Sequence, residues 1–432
     1  MNSPARPEVG KERYLSNSKG IGGKLRNKPE DFKVDEIISN NEKSHWIWAK
    51  ENKHGKHSIV RITANNWDTH VLVKELAKEL GIGQKAIGFA GTKDKRALTT
   101  QYFSVMAQQS KIEKIKLENI KVEFCHQTIK PIRLGNLVGN RFTIKVSNSV
   151  TNEKDIRTII DELKGGFPNY FGIQRFGAIR PITHTVGEKI VKGDYEGAVW
   201  SYLSDGDEKF SGFEARRDLK ETRDLNAALE NYPRSMLFER QMIGYLTRKK
   251  GDYIGALKQL PENLSKMFVH AYQSAIFNRI IDMRIDSGNS IHIPLIGDNV
   301  IPADSYEGPD QRRIIEVTKY NQKKLEKRCR EGKAWVVGLL PGMKSEHTNG
   351  FQGELEKIVM KEENVDFKDF RIEGVPELTS LGMHRPLAQK INDLEWKIDE
   401  EGAPVFDFWL HKGTYATSFL REIMKSEDVT VY

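Results

Sequence analysis

Hydrophobic positions recur along this chain with two different periods. Near the start, KPEDFKVDEII sets Pro29 and an acidic pair ahead of alternating Phe32, Val34 and Glu36, the pattern of a turn entering a strand. HWIWAK (45–50) and SIVRIT (58–63) read as further short strands. After Asn66, a candidate N-cap, Leu72, Leu76 and Leu80 recur every four residues beside Val73 and Ala77. Gly81 then stands where helices commonly end in left-handed backbone. AIGFAG reads as a buried strand, TKDK as a loop at its end, and QYFSVM as a strand resuming beyond it. EKIKLENIKVEFC and NRFTIKVSN alternate as strands do, and a helix is expected over 155–164.

The character changes at Gly165, Gly166 and Pro168, which break the chain, and helical periodicity dominates from there to about residue 385. The clearest case is LPENLSKMFVHAYQSAIFNRIIDMRI, with Leu264, Phe268, Tyr272, Ile276 and Ile280 at helical spacing. The last stretch, APVFDFWLHKGTYATSFLREIMK, returns to a strand, a glycine turn and a helix. It is too short to bury a core alone, so its strand needs a sheet to join. Strands and helices mixed without a strict βαβ repeat predict an α+β fold. Residues 1–22 are polar and contain Gly, Ser and Pro, and read as a loosely ordered leader.

A length of 432 residues favours two or three domains. No apolar run approaches the roughly 18 residues of a membrane helix, and the N-terminal stretch lacks the apolar core of a signal peptide, which predicts a cytoplasmic protein. Lys and Arg number 68 against 60 Asp and Glu, a net charge of +8 that favours a polyanionic partner. With two cysteines, Cys125 and Cys329, a disulfide scaffold or paired CxxC zinc site is excluded. His54 and His57 fall in the polar run ENKHGKHS, better explained as a solvated loop than as metal ligands.

Several segments mix glycine, charge and aromatic rings where a plain core would be apolar. In GFAGTKDKRALTT, Asp94 is flanked by Lys93, Lys95 and Arg96, which favour its ionised form. It fits a nucleophile or general base, and equally a surface turn. GNLVGNRF places Asn140, Arg141 and Phe142 after two glycines, suited to holding a flat heterocycle or to a hairpin entering a strand. PNYFGIQRFG packs Tyr170, Phe171, Arg175 and Phe176 into ten positions, suiting RNA or an aromatic cluster at a domain junction. The run 311–333 carries nine Lys or Arg against three Glu, a solvated face or a binding patch.

In this order, over nearly the whole chain, the segments RNKPEDFKVDE, GFAGTKDKRALTTQYFSV, LGNLVGNRFTIKV, PNYFGIQRFG, FVHAYQSAIFN, LPG with GMHRPL, and KGTYATSFLRE resemble the TruD family of pseudouridine synthases. HAYQSAIFN and LPG look closer to its archaeal and eukaryotic branch. The resemblance implies an α+β pseudouridine-synthase catalytic domain on a mixed or antiparallel sheet, built from residues 23–165 and 387–432. An inserted α/β TRUD domain would span 166–386. It implies isomerisation of uridine to pseudouridine in tRNA, at uridine 13 of the D arm, with no cofactor, metal, membrane or obligate protein partner.

Residue by residue, the family's catalytic aspartate in GxKD falls on Asp94, and its GNxF asparagine and base-stacking phenylalanine fall on Asn140 and Phe142. The basic residue three places before the proline of PEDF falls on Arg26, with Lys28 close by as the alternative. RNA contact is then expected of Lys93, Arg141, Tyr170, Phe171, Arg175 and Phe176. Arg26 would pair with Asp94, which attacks or takes a proton from the ribose or base; attack at C1′, attack at C6 and a glycal route all remain open. Phe142 would stack on the flipped-out uracil. The rival reading is a non-catalytic RNA-binding protein that keeps the fold as a clamp, because everything except Asp94 serves binding equally well.

Overall fold

Alternating inward apolar and outward polar residues build one eight-stranded sheet from Phe32–Ile37 (β1), His57–Asn65 (β2), Ile87–Phe89 (β3), Leu98–Val105 (β4), Ile120–Thr128 (β5), Gly139–Lys145 (β6), Asn392–Ile398 (β7) and Pro404–His411 (β8). The strand order is β7-β8-β6-β1-β4-β2-β5, with β3 added on β4. Only β1 and β4 run parallel; every other pairing in the sheet is antiparallel. The computed structural model describes residues 11–38, 51–93, 95–150, 152–177, 180–208, 212–303, 308–428 and 431–432; Asp94 and the expected strand HWIWAK lie outside them.

The described residues form two compact units. The sheet unit takes in Leu15–Phe167, Pro302–Asp310 and Gln389–Tyr432. In it the helix Thr69–Leu80 (α1) buries Leu72, Val73, Leu76, Ala77 and Leu80 on Val60, Ile62 and Phe103. Its cap differs from the expectation: Asp68, not Asn66, accepts from His70 N at 2.8 Å and Val71 N at 3.1 Å. Asn66 lies two residues earlier in left-handed backbone (φ 63°), turning the chain from β2. Gly81 ends α1 in left-handed backbone (φ 64°) as expected. The chain from Lys111, expected to be extended, keeps a helical turn over Gln109–Ile112, and the strand begins only at Ile120.

At the other end of the sheet, the helices Glu153–Glu162 and Ala416–Met424 contribute Ile156, Ile159, Phe419, Leu420 and Ile423 to a core with Phe142, Ile144, Phe406 and Phe408. Residues 15–22 are not the loose leader expected. Glu422, 1% exposed, accepts from Leu15 N (2.9 Å), Ser16 N (3.0 Å) and Ser16 Oγ (2.7 Å), and Ile21 is buried. A buried carboxylate needs such donors, and a polar leader supplies them.

The second unit takes in the described residues of Met1–Tyr14, Pro168–Ile301 and Gln311–Ala388. Its axis is the helix Glu262–Asp286, which buries Phe268, Tyr272, Ile276 and Ile280 as its periodicity predicts. The helix Thr183–Val191 lies so close that a Cβ on Gly187 would sit 1.9 Å from Phe268 O. A small sheet, centred on the fully buried strand Ala334–Leu340, joins this helical assembly. Arg284 and Asp298, both with side chains 0% exposed, pair inside it, and Gln352 Oε1 accepts from Arg284 at 2.7 Å. Among the described residues no helix is long and apolar enough to cross a membrane.

Candidate active site on one face of the sheet

Register decides which side chains share a face. Glu36 on β1 pairs with Asn140 on β6, which pairs with Leu410 on β8. One step along, Val34, Phe142 and Phe408 form the next row. A Cβ on Gly139 would sit 2.0 Å from Leu410 O, so this glycine lets β8 close on β6 beside Asn140. Phe142 is 7% exposed; its ring stacks on Phe408 at 5.6 Å and meets Phe32 edge-on at 6.2 Å. Phe419 closes on Phe408 from the C-terminal helix at 4.9 Å.

Between this aromatic floor and the apolar patch under α1, the inward positions turn polar: Glu36 on β1, Gln101 on β4, Asn140 on β6 and Thr69 in the first turn of α1. Glu36, Gln101 and Thr69 converge on the loop Gly91–Lys93. Gln101 Nε2 donates to Gly91 O at 2.7 Å, and Gln101 Oε1 accepts from Thr69 Oγ1 at 3.2 Å. Thr69 Oγ1 in turn accepts from Lys93 N at 2.8 Å. Lys93 Nζ reaches Glu36 Oε1 at 3.0 Å, with the two side chains 6% and 0% exposed, and Glu36 Oε2 accepts from Tyr102 N at 3.0 Å. Three points of the loop are therefore fixed directly before Asp94. Asn140 Oδ1 is buried with no hydrogen-bond partner among the described residues, a condition proteins rarely leave uncompensated.

Arg26 is half-buried in left-handed backbone (φ 57°), its guanidinium 4.1 Å from the centroid of Phe32, the ring beside Phe142. Arg96 donates to Arg26 O at 3.4 Å. Lys28, the alternative basic residue, has an exposed side chain, and its backbone N donates to Asp31. The sheet thus brings Arg26, Phe142 and Asn140 onto or beside one face.

Four residues expected to touch RNA are placed otherwise. Lys93 is sealed in its pair with Glu36, so its ammonium is not open to a phosphate. Tyr170 is 3% exposed and donates from Oη to Asp282 at 2.5 Å. Phe171, 5% exposed, has Phe277 at 5.7 Å and the Arg385 guanidinium at 4.1 Å. Phe176 is fully buried against His184. These three rings are core of the second unit because each already has ring, cation or carboxylate partners. Arg175 lies 5.2 Å from the Phe171 ring. Arg141, one residue from Asn140, points to the opposite face of β6, where Asp407 pairs with it and accepts from Thr143 Oγ1 at 2.7 Å.

Sequence reasoning passed over Glu36, Gln101 and Thr69. Glu36 carries a signal: an acidic residue at the inward position that Phe32 and Val34 occupy earlier in the same strand.

Comparison with known proteins agrees with this architecture. The family described as tRNA pseudouridine synthase D (TruD) matches residues 8–423. A relative from Methanococcoides burtonii, assigned as tRNA pseudouridine synthase D, is 38% identical over 98% of this chain and 97% of its own. One from Thermococcus sibiricus with the same assignment is 38% identical over 96% and 97%. The crystal structure of a chain from Methanosarcina mazei, assigned as tRNA pseudouridine synthase D, superposes with a TM-score of 0.85 at 37% identity, covering 98% of this chain and 99% of that one. On sequence over its whole length and on backbone, the chain belongs to the TruD family of tRNA pseudouridine synthases, a family of isomerases.

Proposed function

We propose that this chain isomerises uridine 13 of the tRNA D arm to pseudouridine, with Asp94 as its catalytic carboxylate. The reaction breaks the N1–C1′ bond, turns the uracil and joins C5 to C1′, without redox change. Asp94 attacks or takes a proton from the nucleoside, and Arg26 holds its charge. Asn140 supplies a polar contact to the uracil edge, and the observation that carries the reading is its buried Oδ1, without a hydrogen-bond partner among the described residues, on the sheet face whose Glu36 and Gln101 anchor the loop before Asp94: such an atom suits a heterocyclic ligand. Phe142 borders the same place. With one face on Phe408 and 7% exposure, base stacking on it requires its cover to open when RNA enters.

Residues 23–165 and 387–432 form the catalytic domain in this reading and 166–386 the inserted one, which the pairing of β8 along β6 supports. The net charge of +8 favours a tRNA substrate, and a tRNA substrate favours the cytoplasm. The test is to incubate unmodified tRNA with the protein and map pseudouridine by position. Conversion at position 13 is expected; conversion only elsewhere removes the D-arm assignment, and none anywhere removes the activity.

A further inference from the structure

We propose that Glu36 is a positioning residue of the isomerisation: its buried carboxylate, tied to Lys93 Nζ and Tyr102 N, sets the loop that delivers Asp94. The inference rests on the reading of Asp94 as the catalytic carboxylate.

The position is anomalous for a strand that serves only as core. Phe32 and Val34, the earlier inward residues of β1, are apolar, whereas Glu36 is charged with its side chain 0% exposed. Removing two charges from water to form a buried pair is costly. Apolar residues of similar volume are often as stabilising at such sites, so stability gives no reason for the pair. Geometry does. Glu36 Oε2 is fixed by Tyr102 N, which leaves Oε1 as a rigid anchor for Lys93 Nζ at 3.0 Å. Gln101 and Thr69 hold the loop by its backbone, at Gly91 O and Lys93 N. The Glu36 tie adds the only side-chain charge pair to this loop among the described residues. Asp94 directly follows Lys93 in the chain. A displacement of about 1 Å in such a group lowers a rate by about a hundredfold. Neither partner is exposed enough to touch a phosphate, so the tie acts on the reaction and not on RNA capture.

The test compares Glu36→Gln with the double variant Glu36→Gln/Lys93→Met, measuring melting temperature, tRNA Kd and single-turnover rate on folded protein. Glu36→Gln can still accept from Tyr102 N but leaves the Lys93 ammonium unpaired. Its melting temperature should fall, its rate should drop by about a hundredfold, and its Kd should stay within about twofold of the parent. The double variant holds no unpaired charge, so its melting temperature should recover while its rate stays low, because the tie is gone. It also serves if Glu36→Gln alone fails to fold. A rate that recovers with the melting temperature would overturn the proposal and leave the pair a matter of stability; so would tRNA binding that weakens in step with the rate. Asp94→Asn, run alongside, separates the two readings. If it is inactive while Glu36→Gln keeps the parent rate, only the positioning role fails. If it is active, the Asp94 reading fails and the positioning role fails with it.

Discussion

GFAGTKDK and PNYFGIQRFG carry the same mixture of glycine, cation and aromatic ring, yet the fold uses them differently. In the first, Gln101, Thr69 and Glu36 grip the loop by its backbone and by Lys93, and Asn140 on the same face has a buried oxygen without a partner among the described residues. In the second, the polar handles turn inward. Tyr170 Oη meets Asp282, Asn169 Nδ2 donates to Pro386 O at 2.9 Å, and Asn278 bridges Phe171 N and O at 2.9 Å each. Composition marks both segments as unusual. What separates them is that the second packs its aromatic rings into a core, whereas the first is a loop anchored by its backbone and by Lys93 on the sheet face that carries Asn140.

The sharpest break of that comparison is Asp94→Asn, which keeps size and removes charge. Turnover, read as tritium release from C5-labelled uridine in tRNA, should fall about a thousandfold or more, while tRNA affinity survives. Substantial release would take Asp94 out of the reaction and leave the anchored loop a structural one.

A paired substitution comes next. Phe142→Ala and Phe176→Ala each remove a buried ring and should each destabilise by about 3–5 kcal/mol. Only Phe142→Ala should also slow single turnover of the folded protein, by about tenfold to a hundredfold, since base stacking contributes about 1–3 kcal/mol. Phe142→Tyr, with the same ring, should be tolerated better. Equal rates for Phe142→Ala and the parent would make both rings core and nothing more.

Legibility followed the range of the interactions. The α+β class, the strand β1, the helix α1 with its Gly81 terminus and the long helix Glu262–Asp286 are set by neighbours a few residues apart, and periodicity exposes them. The need of β8 for a sheet also follows from its length; its slot against β6 does not, since Thr143 and its partner Asp407 are 264 residues apart. The supports of the loop are hidden for the same reason. Lys93 and Glu36 are 57 residues apart, and Thr69 and Lys93 are 24 apart. Asn66 misled as a cap because Asn is favoured both at N-caps and in left-handed turns, and here it takes the turn.

If PNYFGIQRFG supplies core and leaves RNA untouched, the second unit needs another surface to hold RNA. The helix Gln322–Arg330 turns Leu325 and Cys329 inward and carries exposed Lys323, Lys324 and Lys327. Reversing charge at Lys323, Lys324 and Arg328 should weaken tRNA binding and make its log–log salt dependence shallower, by about 0.7 to 0.9 for each phosphate that is no longer neutralised. An unchanged slope would return this helix to the status of a solvated face.

The smallest effect is expected of Arg141, and it asks whether motif or strand face decides a residue's role. Arg141 sits inside GNRF between Asn140 and Phe142, so proximity in sequence argues for a part in the site. The pleat argues against it, because successive side chains on β6 face opposite ways. Its guanidinium pairs with Asp407, with the two side chains 42% and 27% exposed. A pair that open contributes about 0.2–1 kcal/mol to stability. Arg141→Ala should therefore leave single-turnover rate and tRNA Kd within about threefold of the parent, with a small loss of melting temperature. A rate loss of more than about tenfold at unchanged Kd, equivalent to about 1.4 kcal/mol of transition-state stabilisation, would mean that the uridine meets the opposite face of the sheet. Glu36, Asn140 and the anchored loop would then be scaffold, and the contrast between the two glycine-rich segments would disappear.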